Sequence, residues 1–282
     1  MDYANSPTRD LAVITGASSG IGREFAIALA ERCTHDLLLV ARRTDRLESL
    51  AAEVREVWAQ RGAAAGTVNV LTADLTTDEG IAALTQAATA PGRVLGLLVN
   101  NAGFGHVGPF LDSTVERDIE MTRLNCIAPL RLMHALLPSM RAAHHGVVLN
   151  VCSVVSFMPL SYMSTYAATK SFFLSLTLGV NQELRGSGVR LMALCPGPTE
   201  SEFHIAAGLK DALDVFPAMS ARTVVEQALR GVERKRSVVV NGFLNTLVAL
   251  TAHVVGPRAA AWIARPVMRR YLTMRGVPLG SR

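Results

Sequence analysis

Cysteine is scarce in this 282-residue chain, and the four present, Cys33, Cys126, Cys152 and Cys195, stand far apart. They form neither a Cys-x-x-Cys pair nor a metal-ligand spacing with histidine, which excludes a zinc ribbon or a dithiol redox motif and leaves reduced thiols. Reduced thiols fit a reducing cytoplasm. The first ten residues, MDYANSPTRD, carry no apolar run, so neither a secretory signal nor an N-terminal anchor is expected. Internal repeats, low-complexity stretches and interdomain linkers are also missing, which leaves one domain as the expectation. Charged residues are only 18% of the chain against 50% hydrophobic, a balance that excludes disorder and allows a sizeable core. Acidic residues are absent from position 238 onward, where Arg258, Arg265, Arg269, Arg270, Arg275 and Arg282 outweigh the whole net charge of +5 and leave the rest of the chain slightly acidic.

Apolar runs rich in Val, Ile and Leu recur at 11–15, 36–41, 67–72, 95–100, 146–152, 189–195 and 237–240. Each is short enough for a strand buried on both faces. Longer Ala-rich amphipathic stretches such as 44–61 and 163–187 alternate with them and read as helices. Strand–helix alternation implies a doubly wound parallel sheet of about seven strands, covered by helices on both faces. Residues 1–241 are read as one domain built on this sheet, with 242–282 a basic helical extension of it. A sheet of this kind binds ligands beyond the carboxyl ends of its strands, so the loops that follow strands should carry the chemistry.

The first of those loops, Gly16-Ala17-Ser18-Ser19-Gly20-Ile21-Gly22, lies between a strand and a helix that begins near Ile21. Glycines allow a tight turn and close backbone approach, and the helix N-terminus presents free N–H groups and partial positive charge to a pyrophosphate. The spacing is Gly-x-x-x-Gly-x-Gly. At the end of the second strand, Val40-Ala41, no Asp or Glu is present for a ribose 2′-hydroxyl; Arg42 and Arg43 follow instead and favour a 2′-phosphate, hence NADP(H) over NAD(H).

Tyr166 and Lys170 are four residues apart in a predicted helix, so they share a face and can reach one ligand. With four Tyr and three Lys in the chain, such a pair arises by chance only roughly 0.04 times. A phenol with a pKa near 10 is a weak base at neutral pH, and a neighbouring ammonium and an oxidised nicotinamide are expected to lower that value. Tyr166 would then exchange a proton with a substrate oxygen. Ser153 follows the fifth strand and could hydrogen-bond the same oxygen; Ser156, Ser161 and Ser164 are its nearby competitors.

TGASSGIG, Asn100-Asn101-Ala102-Gly103, Ser153, Tyr166-Ala167-Ala168-Thr169-Lys170 and Pro196-Gly197 occur in the order found in the short-chain dehydrogenase/reductase (SDR) family, which the chain resembles over about residues 9–203. The resemblance implies a Rossmann-type fold and an oxidoreductase moving a hydride between NADP(H) and a carbonyl or alcohol carbon. Its spacing of about 13 positions from serine to tyrosine selects Ser153. It also implies that Lys170 binds the nicotinamide ribose, that Asp74 and Leu75 lie by the adenine, and that Asn101, Ala102 and Gly103 line the cofactor side of the sheet. Gly16, Ser18, Ser19, Gly20, Ile21 and Gly22 would hold the pyrophosphate. Asn125 matches the family's fourth catalytic position, which holds a water in a proton relay. Pro129 has no N–H, so the carbonyl of Asn125 loses its helical partner and is free to take that part. After the sixth strand, in Cys195-Pro196-Gly197-Pro198-Thr199-Glu200-Ser201, Ser201 stands where the family usually has a carboxamide-binding threonine, with Thr199 as the alternative. Ser19 is a second departure, since some NADP-using relatives carry a basic residue there; the cofactor preference therefore rests on Arg42 and Arg43.

The segment 198–219 corresponds to the family's variable substrate-covering stretch. Phe203, Ile205, Leu209 and Phe216, with Phe157, Met158, Leu160 and Tyr162, are candidates for a lipophilic pocket, though ordinary packing accounts for them as well. Residues 243–256 and 259–275 read as two helices separated at Gly256-Pro257, too short and too Arg-rich to span a bilayer. They are read as docking on the domain, making a subunit contact or lying on a membrane surface. The expected partners are a small carbonyl or alcohol substrate and, by the resemblance, further copies of the chain in a homodimer or homotetramer; neither a metal nor a nucleic acid is expected. The rival reading is a non-enzymatic NADP(H)-binding scaffold.

Overall fold

A computed structural model describes residues 9–62, 66–203, 207 and 218–274. Seven strands form one parallel sheet: β1 (Asp10–Thr15), β2 (His35–Ala41), β3 (Val68–Thr72), β4 (Leu95–Asn100), β5 (Gly146–Val151), β6 (Val189–Cys195) and β9 (Val238–Val240). The order across the sheet is β3-β2-β1-β4-β5-β6-β9, so the winding reverses between β1 and β4. A two-residue pair, β7 (Thr199–Glu200) with β8 (Met219–Ser220), closes the loop after β6.

Strand side chains alternate between two cores, as a period of two requires. Ala12, Ile14, Leu37 and Leu39 pack beneath α1 (Gly20–Arg32), α2 (Thr44–Gln60) and α7 (Ala221–Glu233). Leu11, Val13, Leu38 and Val40 face α3 (Asp78–Ala88), α5 (Ala128–Ala142) and α6 (Ser164–Glu183). Both faces of the sheet are therefore dry, which is why its strands read as continuous apolar runs. Before α5, the helix α4 (Val115–Thr122) runs into a π-helical turn at Arg123–Ile127, in which Ala128 N–H donates to the carbonyl of Arg123. Pro129 offers no N–H to the carbonyl of Asn125, and the wider turn falls at that point.

The last helix, α8 (Phe243–Met274), bends at Gly256, whose φ of 77° and ψ of 165° lie outside helical space and are suited to a residue without Cβ. Taken whole, α8 is long and apolar enough to cross a membrane by length and composition. The bend divides it into two pieces, each shorter than the roughly 20 residues a span needs. Met268, Tyr271 and Leu272 of its second piece join Val107, Leu160, Ala167 and Ala207 in a third core, beside the short helical turn after β5. Of the tail arginines, Arg275 and Arg282 lie outside the described residues, as do Ile205, Leu209 and Phe216.

Candidate active site

Six loops meet at the carboxyl edge of the sheet, beside the reversal between β1 and β4. The glycine turn after β1 is fixed from below. Thr15 Oγ1 donates to the carbonyl of Val99 and accepts from the N–H groups of Asn101 at 2.9 Å and Ala102 at 3.0 Å. Asn101 returns its Nδ2 to the carbonyls of Thr15 and Gly16. A Cβ at Gly22 would collide with Gly16 O, so Gly22 lies under the turn and not on the ligand side. At the start of α1, Ser19 stands at the N-cap in extended conformation but makes no side-chain cap. Its hydroxyl instead accepts from Arg43 Nη2 at 3.2 Å, and Ser18 Oγ accepts from the same guanidinium at 3.0 Å. The cation that some NADP-using relatives place in the turn is thus brought to it from the end of β2. Arg42, more exposed, lies 3.7 Å from Glu120. Asp74, after β3, accepts from the N–H and hydroxyl of Thr76. Burial opposes its ionisation, but these two bonds and nearby Arg42 hold its carboxyl below the usual range.

Ser153, Tyr166 and Lys170 are buried together at the centre of this edge. Ser153 caps the turn after β5, accepting from Val155 N–H, while Ser156 returns its hydroxyl to Ser153 N–H. That capping box accounts for Ser156, and Ser164 is exposed. Ser153 alone of the four serines lines the cavity and hydrogen-bonds the Tyr166 hydroxyl. Lys170 Nζ donates to the carbonyl of Val151 at 2.8 Å and lies 5.8 Å from the centroid of the Tyr166 ring.

The expected lowering of the tyrosine pKa is not what the protein's own groups produce. Burial raises the Tyr166 phenol well above its ordinary value, and the bond to Ser153 only partly offsets this. The sequence shows which charges are near but not how dry the site is. Burial likewise lowers the pKa of Lys170, partly opposed by the neighbouring cysteines.

The Asn125 side chain lies apart from the cavity. It is buried behind the wall, its Nδ2 donating to Phe104 O and Thr169 Oγ1 at 3.0 Å each and its Oδ1 accepting from Phe104 N–H. The side chain is committed to positioning the loop after β4, which leaves only its main-chain carbonyl for a relay.

The remaining predicted residues come together on one cavity of about 1180 Å³. Gly16, Ser18, Ser19, Gly20, Ile21, Arg42, Arg43, Asp74, Leu75, Asn101, Ala102, Gly103, Pro196, Gly197, Thr199 and Ser201 line it with Ser153, Tyr166 and Lys170. Ser201 packs against Gly20, where a Cβ would come within 2.9 Å of its own. Thr199, more deeply placed, turns its hydroxyl to Gly197 O. These surroundings fit an extended dinucleotide: an uncapped helix N-terminus for the pyrophosphate, glycines that keep its approach open, and a guanidinium on the turn. Among the described residues no cluster of His, Cys, Asp or Glu could hold a metal.

Sequence reasoning missed three features of the cavity. Arg46 joins Arg43 three residues on along α2, and Glu202 reaches both. The tail helix supplies much of the far wall, including Leu247, Val248, Val255, Ile263, Val267 and Tyr271. Phe203 does face Tyr166, with ring centroids 5.2 Å apart. The i, i+3 spacing of Arg43 and Arg46 was a usable signal for the first; nothing local marked the wall.

The family model for short chain dehydrogenase matches residues 10–211. A very-long-chain 3-oxoacyl-CoA reductase of Phaeosphaeria nodorum is 30% identical over 190 residues, 67% of this chain and 54% of that protein. The chain spans about half the length of such curated relatives. Among solved structures, a short-chain dehydrogenase from Sphingobium yanoikuyae in complex with NADPH is 36% identical, with a TM-score of 0.77 over 86% of this chain and 92% of that one. A bulky-bulky ketone specific alcohol dehydrogenase from Comamonas testosteroni is 33% identical, with a TM-score of 0.72 over 83% and 86%.

Proposed function

Since the chain belongs to the short-chain dehydrogenase family, we propose that it is an NADP(H)-dependent oxidoreductase that interconverts a bulky, lipophilic carbonyl compound and its alcohol. The observation that carries this reading is the buried group of Ser153, Tyr166 and Lys170 on a cavity whose opposite wall is apolar helix. The glycine turn, Arg43 and Lys170 would hold a nicotinamide cofactor, which when bound would supply or accept the hydride. The hydroxyls of Ser153 and Tyr166 hydrogen-bond the substrate oxygen, and in reduction Tyr166 donates its proton to it. Burial keeps that proton on the phenol through neutral pH. In the oxidative direction the phenol must release it, and the Lys170 ammonium favours the resulting anion. The carbonyl of Asn125, set free by Pro129, holds the water through which the proton is exchanged with Lys170.

The substrate class is supported by the lining of the tail helix and by relatives named for bulky ketones and very-long-chain 3-oxoacyl-CoA. The cofactor preference is supported by Arg43 on the glycine turn and by the NADPH complex of the Sphingobium relative. The outer face of α8, with exposed Phe243, Val254 and Trp262 and the arginines 258, 265, 269 and 270, supports peripheral contact with an anionic membrane. A cytoplasmic homodimer or homotetramer completes the proposal, with sedimentation velocity as its check; a monomer would remove that part.

The test is oxidation of NADPH and NADH by the purified protein over bulky ketones and long-chain 3-oxoacyl-CoA compounds, with Tyr166→Phe beside it. NADPH-preferring turnover should fall roughly 10²–10⁴-fold in the variant, with cofactor binding retained. Turnover that survives the substitution overturns the mechanism, and cofactor binding without turnover on any substrate favours the scaffold reading.

A further inference from the structure

Glu202 stands at the place where an anion of the cofactor is expected. Its Oε2 accepts from Arg43 Nη1 at 2.9 Å, and its Oε1 accepts from Arg46 Nη1. The Arg43 guanidinium that binds it is the one held by the Ser18 and Ser19 hydroxyls. Two guanidinium groups thus converge at the end of β2, beside the glycine turn, on a carboxylate 159 residues from Arg43 in sequence, and two hydroxyls hold one of the two in place. All five side chains line the same cavity.

A carboxylate brings one negative charge and two acceptor oxygens to these donors, whereas a phosphate monoester brings nearly two charges and three oxygens. Both recognise guanidinium by the same planar fork, so they compete for it. Two anions cannot share the cluster without strong repulsion. We infer that Glu202 is an internal competitor for the 2′-phosphate seat, displaced when a 2′-phosphorylated dinucleotide enters, and that it thereby sets the cofactor affinity and selectivity of the enzyme. A dinucleotide with a free 2′-hydroxyl has nothing to offer the arginines in exchange, so the Glu202 pairs persist beside it. Glu202 also adjoins Phe203, whose ring faces Tyr166.

The inference rests on the reading of the cofactor as NADP(H), and the experiment separates the two. Calorimetric titration of wild type and Glu202→Gln with adenosine 2′,5′-bisphosphate and with adenosine 5′-monophosphate reads the seat without any turnover. The pairs are half exposed and individually weak, so the amide variant should bind the bisphosphate about three- to tenfold more tightly and the monophosphate unchanged. Thermal melts of both proteins check that the variant is folded, and Glu202→Asp, which keeps the charge on a shorter arm, should fall between the two. A wild type that prefers the bisphosphate, with no tightening in Glu202→Gln, overturns the inference and leaves the cofactor reading standing. A wild type and a Glu202→Gln variant that both lack a preference sink the inference and the cofactor reading together. Weaker monophosphate binding in Glu202→Gln would make the carboxylate a ribose ligand and also overturn the competitor role.

Discussion

Lys170 on α6 donates its Nζ to the carbonyl of Val151, the last residue of β5, at 2.8 Å. Ser153 follows Val151 by two positions and Tyr166 precedes Lys170 by one helical turn, so this one bond ties together the two segments that carry the hydroxyls. The ammonium is removed from water to make it, and burial lowers its pKa in consequence.

That shift should set the alkaline limit of the proposed turnover. The lysine loses its charge as pH rises through a value below the ordinary lysine range, while the Tyr166 proton, whose pKa burial raises, stays in place over the same interval. Carbonyl reduction should therefore decline at alkaline pH with the titration of Lys170. Lys170→Arg, whose guanidinium stays protonated, should be slower by roughly tenfold or more but lose the decline. A kcat profile from pH 7 to 11 checks this; an unchanged alkaline limb in the variant assigns it to another group. The sign for stability follows from the same shift: the unfolded chain holds this proton more tightly, so the contribution to stability grows as pH rises from the folded pKa toward the unfolded one.

Gly22→Ala tests the glycine turn from beneath. The added methyl would run into the Gly16 carbonyl and come within 2.6 Å of Asn101 Nδ2, and the first of these is backbone that cannot rotate away. A loss of about 1–3 kcal/mol of stability and weakened NADPH binding are expected, from thermal or denaturant melts and fluorescence titration. Retention of both would show that the turn can open without cost.

The strands were legible because a sheet buried on both faces leaves continuous runs of Val, Ile and Leu: the runs at 95–100 and 189–195 are β4 and β6 to the residue, and the others gain or lose one residue at an end. The bend at Gly256 was equally visible, since glycine followed by proline seldom continues a helix. The set of residues gathered on the cavity could be read for a different reason: all but Tyr166 and Lys170, which share a face of α6, follow a strand, and the sheet brings strand ends together. Glu202 could not be found in this way. Its partnership with Arg43 and Arg46 depends on how one loop folds back over the sheet, and an acidic residue in a polar loop looks like any solvated one. The tyrosine pKa failed similarly, since chain order lists neighbours and leaves out water. The two-residue pair β7–β8 is too short to leave a pattern.

The tail wall makes a prediction about substrate range. Val248 and Val255 lie on the cavity from the first piece of α8, both near two-fifths exposed. Replacing both with serine should raise KM for a bulky lipophilic ketone by roughly tenfold, with kcat nearly unchanged, because burying a partly exposed valine contributes about 1 kcal/mol or less each. An equal effect on a small ketone would place these residues in general folding and not in recognition.

Membrane contact is the simplest of the proposals to check. Cosedimentation of the protein should increase with the anionic lipid content of vesicles and fall when Arg265, Arg269 and Arg270 are replaced by glutamine, by about 1 kcal/mol of binding per charge removed. Equal binding to neutral and anionic vesicles, or none to either, removes the membrane from the picture.

The two sides of the cavity come from different parts of the chain. Hydroxyls, lysine and glycine turn lie between residues 16 and 203, within or beside the stretch that the family shares, whereas the apolar wall is supplied by residues 245–271, after it ends. Gly256 turns this last stretch back onto the domain, where Met268, Tyr271 and Leu272 are buried. A descendant gene could exchange its 3′ end for another and acquire a new diet while keeping its reaction, so diversification in such a lineage can proceed by replacing tails and leave the chemistry untouched.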